Sequence, residues 1–148
     1  MRPLLLLTAL MAACPPAPVR PKAKPDPVSE PWYSQTVQQL TTMDVEAESA
    51  LHNGGPDRAA AIITSGQPLI HRLLSVPYPT LSAMEAVSDL DQLYGRMLLS
   101  NRHYVWARVL FQKNLTRWSN WTPQTPETLR RLKMARSAIA ECDRHIGE

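Results

Sequence analysis

Tyr104-Val-Trp-Ala107-Arg-Val-Leu-Phe111-Gln-Lys-Asn-Leu115-Thr-Arg-Trp118 decides the fold class. Tyr104, Ala107, Phe111, Leu115 and Trp118 recur every three or four residues, the spacing that lines one face of an α-helix. The same period extends outward. Upstream it runs through Leu81, Met84, Val87, Leu90, Tyr94, Met97 and Leu98. Downstream it runs through Leu129, Leu132, Ala135, Ile139, Cys142 and Ile146. Ser100-Asn101 supplies the turn between the upstream pair, and residues 119–125 read as a loop. Thr125-Pro126-Glu127 then opens the last helix. It offers a capping hydroxyl, a proline where no N–H is needed, and an acid at the positive end of the dipole.

Toward the N-terminus, Pro77-Tyr78-Pro79 is a firm stop, and Thr80 or Ser82 caps the helix that starts after it; Ser82 and Glu85 have capping-box spacing. A first helix is expected from about Trp32 to His52, with Val37, Leu40, Met43, Ala47 and Leu51 on its stripe and Asn53-Gly54-Gly55 closing it. A second starts at Pro56-Asp57. Gly66 and Pro68 interrupt it, leaving one kinked helix or two short ones. Gly is scarce, and Val, Ile and Phe are few beside Ala and Leu, which favours helix over sheet.

Gly95, Leu98, Tyr104, Ala107 and Phe111 together resemble the second half of the tetratricopeptide motif. In that motif the Gly lets two helices approach, and an aromatic, an Ala and a second aromatic set the packing of the hairpin. Asp91 stands where the motif has Trp, and Asn114 stands where it has a late Ala. Ala47, Ala50, Gly54, Ala59 and Ile63 form a fainter upstream copy, at a longer interval than the 34 residues of a regular array. The expectation is an all-α domain of four to five helices in antiparallel hairpins, tetratricopeptide-like or an irregular bundle. The resemblance implies a domain that binds protein partners.

The front end has a different character. Residues 1–14 read Met-Arg-Pro-Leu-Leu-Leu-Leu-Thr-Ala-Leu-Met-Ala-Ala-Cys: a positive start, a short apolar core and small residues at its end, as in an export signal. The apolar run is far short of the roughly 20 residues of a transmembrane helix. Met11-Ala12-Ala13-Cys14 resembles the bacterial lipobox, with Met11 in place of the usual Leu. That resemblance implies cleavage before Cys14 and acylation of its thiol. Pro15 stands next in place of the aspartate linked to inner-membrane retention, which favours the periplasmic face of the outer membrane. The alternative is an ordinary secretory signal. Residues 15–31 then hold Pro15, Pro16, Pro18, Pro21, Pro25, Pro27 and Pro31. Such a stretch forms no core; extended, it reaches on the order of 50 Å. The organisation expected is a signal over 1–13, a lipidated cysteine and disordered Pro-rich tether over 14–31, and a helical domain over 32–148.

Chemistry is sparse. The net charge is +3, and the densest basic run, Arg130, Arg131, Lys133 and Arg136, reads as a solvated face rather than a nucleic-acid site. Cys142 has no disulfide partner if Cys14 is acylated. His52, His71, His103 and His145 are scattered. Cys142 or Glu141 with His145 would give only two metal ligands, so neither metal nor cofactor is expected. No phosphate loop, dinucleotide fingerprint, Gly-x-Ser-x-Gly elbow or His-Glu-x-x-His run is present, and no catalytic residue stands out. Asp44, Glu46 and Glu48, like Asp89 and Asp91, read as wet faces. Trp118 continues its stripe and is assigned to packing. Trp32, Tyr33, Arg117 and Trp121 are the candidate partner-binding residues, because Trp, Tyr and Arg anchor interfaces. The function expected is a membrane-anchored envelope lipoprotein whose domain scaffolds another envelope protein. The alternative is a small envelope enzyme or ligand-binding domain with a site near His71 or His103. Oligomeric state is not legible.

Overall fold

The computed structural model describes residues 25–147. The signal-like segment, Cys14 and the tether up to residue 24 lie outside the described residues. A 3-10 turn at Pro27–Ser29 leads into five helices: α1 (Pro31–His52), α2 (Pro56–Leu74), α3 (Leu81–Ser100), α4 (Tyr104–Asn120) and α5 (Pro126–Ile146). The fold is all-α, with no strand among the described residues. Short turns make α1–α2 and α3–α4 into hairpins; α3 packs on α1, and α5 folds back along α4.

The boundaries obey local chemistry. The Thr80 hydroxyl accepts from the Ala83 N–H and caps α3, leaving Ser82 one step inside. Thr125 caps α5 in a reciprocal box with Thr128. Gly54 takes φ 75° to end α1, where a left-handed residue frees the chain to turn. At the end of α3 the same conformation falls on Arg102 at φ 61°, and the His103 N–H reaches back to the Leu98 carbonyl at 2.8 Å.

The helical domain begins earlier than residue 32. Val28, in the 3-10 turn, packs against the core, so this turn belongs to the folded unit. Pro68 does not split α2. It lies on the exposed side of the helix, so the carbonyl left without its donor, that of exposed Thr64, stays in water. The opposite side, Ile63, Gly66, Ile70 and Leu73, is continuously buried and holds the helix together. Helix α4 runs to Asn120, shortening the loop to residues 121–125. On α5, Leu132, Ala135, Ile139 and Cys142 are buried, but Leu129 and Ile146 are exposed.

Two dry cores result. The larger gathers α1, α2 and α3 around Leu40, Ala47, Ile63, Leu73, Val87 and Leu90. The smaller joins α4 and α5 through Ala107, Phe111, Ile139 and Cys142, with Leu98 and Leu99 of α3 against it. Glycines mark the close approaches. A β-carbon on Gly95 would stand 2.5 Å from the Phe111 ring, the contact that the motif resemblance implies. Gly54 meets nothing within 4 Å, so the upstream copy lacks that approach; Gly66 makes one instead, with Leu90 Cδ2 2.9 Å from its β-carbon position.

Asp44 does not sit on a wet face. It is half-buried beside α3, and burial, then the nearby Asp89 and Glu48 carboxylates, push its pKa up to about 6, with Arg96 and Arg131 opposing. A carboxyl whose folded pKa exceeds its unfolded value of 3.8 stabilises fully below that value, and the contribution is lost as pH rises through about 6. The shift would be worth about 3 kcal/mol at most, and partial exposure reduces it to about 1 kcal/mol. Asp44→Asn is therefore expected to raise the melting temperature by roughly 4 °C at pH 7.5. The gap should shrink as pH falls, and the two proteins should melt together only below the unfolded value of 3.8. A variant no more stable than the parent at pH 7.5 would remove this account.

Candidate protein-binding groove

Helix α4 is apolar on two sides. Its inner face buries Ala107, Leu110, Phe111, Asn114 and Trp118 against α3 and α5. Its outer face leaves Val105, Trp106 and Val109 uncovered, and Trp106 is 67% exposed. The exposed indole and the two branched side chains beside it form an apolar patch on this face.

This face forms one wall of a furrow. A hollow of about 400 Å³ is lined by Tyr94 and Leu98 of α3 and by Trp106, Val109 and Lys113 of α4. A second, of about 530 Å³, adds Leu74 of α2 and Met84 of α3. The two share Val109 and Lys113, so they form one open channel along the α3–α4 hairpin with the end of α2 at its lip. Arg108 and Arg117 also border it, and α4 carries no carboxylate. A separate hollow of about 420 Å³ lies between the C-terminal ends of α1 and α3. There an exposed Arg96–Glu48 pair at 2.8 Å takes up the charged edge.

Beneath the furrow a polar seam locks α3 to α4. The Trp118 indole donates to the Ser88 hydroxyl at 2.9 Å, and the Asn114 amide donates to the Ser88 carbonyl at 3.0 Å. Arg117 donates to Asn114 Oδ1 and, at 3.0 Å, to Asp91 Oδ2. Burial pushes the Asp91 carboxyl above its ordinary range despite the guanidinium beside it. Asp91 and Asn114, the two departures from the tetratricopeptide pattern, are thus the two ends of one network bridged by Arg117. Every buried side-chain nitrogen and oxygen among the described residues has a partner.

The candidate partner-binding residues are not brought together. Tyr33 is 2% exposed, and its hydroxyl accepts from the Thr80 N–H at 2.8 Å; it fastens α1 to the start of α3 and offers no contact surface. The Arg117 side chain is 7% exposed and engaged with Asp91, at the edge of the furrow. Trp32 is half-buried under the Arg72 guanidinium, 4.1 Å from its ring centre. Trp121 sets its ring edge-on to Trp118 at 6.4 Å, with the Gln124 amide donating to both tryptophan carbonyls. Trp118 is fully buried, in keeping with a packing role. His71 and His103 are exposed, and His145 stacks on Tyr104 at 4.5 Å. Among the described residues no three His, Cys, Asp or Glu side chains converge.

Trp106 is the residue that the periodicity argument passes over. Once one stripe accounts for a helix, apolar residues off that stripe draw no notice. The available signal is that Val105, Trp106 and Val109 fall together on the face opposite Phe111 and Trp118. Comparison with known protein families, with characterised proteins and with solved structures finds no match.

Proposed function

We propose that this chain is a bacterial envelope lipoprotein, held to the membrane by acylated Cys14, whose helical domain keeps another envelope protein in the furrow along α4. The anchor rests on the Met11-Ala12-Ala13-Cys14 stretch and the prolines behind it. No helix among the described residues is long and apolar enough to cross a membrane. The binding half rests on one observation, the exposed Trp106 above a furrow with apolar walls.

The anchor is tested by the intact mass of membrane-extracted protein. A chain beginning at Cys14 with added acyl mass, absent from a Cys14→Ala variant, is expected; an unmodified chain would remove the anchor. The furrow is tested by placing a photocrosslinking residue at Trp106 and, for comparison, at Val45, which is 62% exposed on α1. A discrete crosslinked product from position 106 alone is expected. Equal products from both positions would remove the assignment. Trp106→Ala is expected to abolish capture while shifting the melting temperature by less than about 2 °C, because little packing is lost at an exposed position.

A further inference from the structure

We infer that the occupant of the furrow is an amphipathic helix from a partner protein, its polar flank acidic; this rests on the binding reading above. Shape, charge and length each limit the choice. The site is concave, with two adjoining hollows of about 400 and 530 Å³. A bilayer surface would span those hollows and leave them unfilled, whereas a helix lowered into them fills them with side chains. No strand edge exists among the described residues, so the partner has no backbone ladder to join and must bind through apolar side chains.

Charge then selects the sign. The wall helix carries Arg108, Lys113 and Arg117 with no acid, and Arg102 and His103 precede it at the Trp106 end. Arg108 faces Asp143, while Arg117 and Lys113 both act on the single Asp91 carboxylate, so positive charge stays in excess with Lys113 at the middle of the furrow. An acidic helix brings the complement to these cations. The floor runs from Met84 to Leu98 of α3, about 21 Å, or roughly four turns of a docked helix. Its apolar residues would take the i, i+3, i+4, i+7 pattern, set against Leu74 and Met84 at one end and Trp106 at the other.

The test uses the full chain carrying Cys14→Ala and fluorescein-labelled peptides of about 16 residues. One has Leu at the amphipathic positions and Glu elsewhere. A second has Lys for Glu, and a third has the composition of the first with its Leu positions scrambled. Fluorescence anisotropy is expected to show the Leu/Glu helix binding at least about tenfold more tightly than either control. Trp106→Ala should lose about tenfold, and Lys113→Glu should reverse the preference for Glu over Lys. Equal or tighter binding of the Leu/Lys peptide, or indifference to Trp106→Ala, would overturn the inference. A blue shift of Trp106 emission on anionic phosphatidylglycerol vesicles, without peptide binding, would overturn it in favour of a membrane surface. If no peptide binds while the position-106 crosslink in the envelope persists, the acidic-helix inference falls and the binding reading stands. Loss of both removes both.

Discussion

An Arg117→Met variant is expected to lose about 3–5 kcal/mol of stability, because it strands Asp91 in the seam between α3 and α4 without its guanidinium. In a domain of this size that lowers the melting temperature by on the order of 10 °C or more. The loss depends on pH, and the carboxyl sets its sign. Burial already holds the Asp91 pKa above its ordinary value, and removing the adjacent positive charge raises it further. A group whose folded pKa is raised has its contribution intact at low pH and loses it as pH climbs through the folded value. Urea melts should therefore show the larger deficit at pH 8 and a smaller one at pH 5. Asn114, whose carbonyl oxygen also loses its donor, adds a part that does not vary with pH. Replacing both charged partners, Asp91→Leu with Arg117→Met, should restore most of the stability, since no charge is then left buried. Equal losses from Arg117→Met with and without Asp91→Leu would show that the two residues are not coupled.

The second large effect is expected at Gly95. A β-carbon there meets ring atoms of Phe111 at 2.5 and 2.8 Å, and that ring is fully buried. Helix propensity alone would make Gly95→Ala stabilising by about 1 kcal/mol. Steric overlap with a ring that has no space to retreat opposes it and wins, for a net loss of about 2 kcal/mol. In a Phe111→Leu background the overlap is relieved, and the same Gly95→Ala change should become neutral or stabilising. The double-mutant cycle thus predicts a change of sign, and simple additivity would refute the close approach.

The helices are legible in the sequence because punctuation and period agree. Thr125-Pro126 opens α5 where a cap and a first-turn proline belong, and Trp118 continues its stripe into the core. Continuity of α2 is not legible, because it depends on which side of the helix Pro68 occupies, and that is set by packing around Gly66 and Ile70. Residue type alone assigns Tyr33 and Arg117 to a partner. The side chains that anchor interfaces are also those that close corners. What separates the two roles is a distant neighbour: Thr80 lies 47 positions from Tyr33, and Asp91 lies 26 from Arg117. Asp44 misleads for the same reason, its burial coming from α3 and not from its own helix. Trp106 is passed over because a one-stripe description of α4 leaves no place for a second apolar face.

The polar seam also bears on how the chain is made. Synthesis delivers α1, α2 and α3 first, and their dry core needs nothing from residues beyond 100. Until α4 emerges, the middle of the α3 face that awaits it presents the Ser88 hydroxyl and the Asp91 carboxylate to water. Had that face carried the Trp of the repeat pattern in place of Asp91, the half-built chain would expose a greasy patch at the moment it is most prone to stick. The Asp91 carboxylate thus meets its guanidinium only when Arg117 arrives on the helix that completes the hairpin.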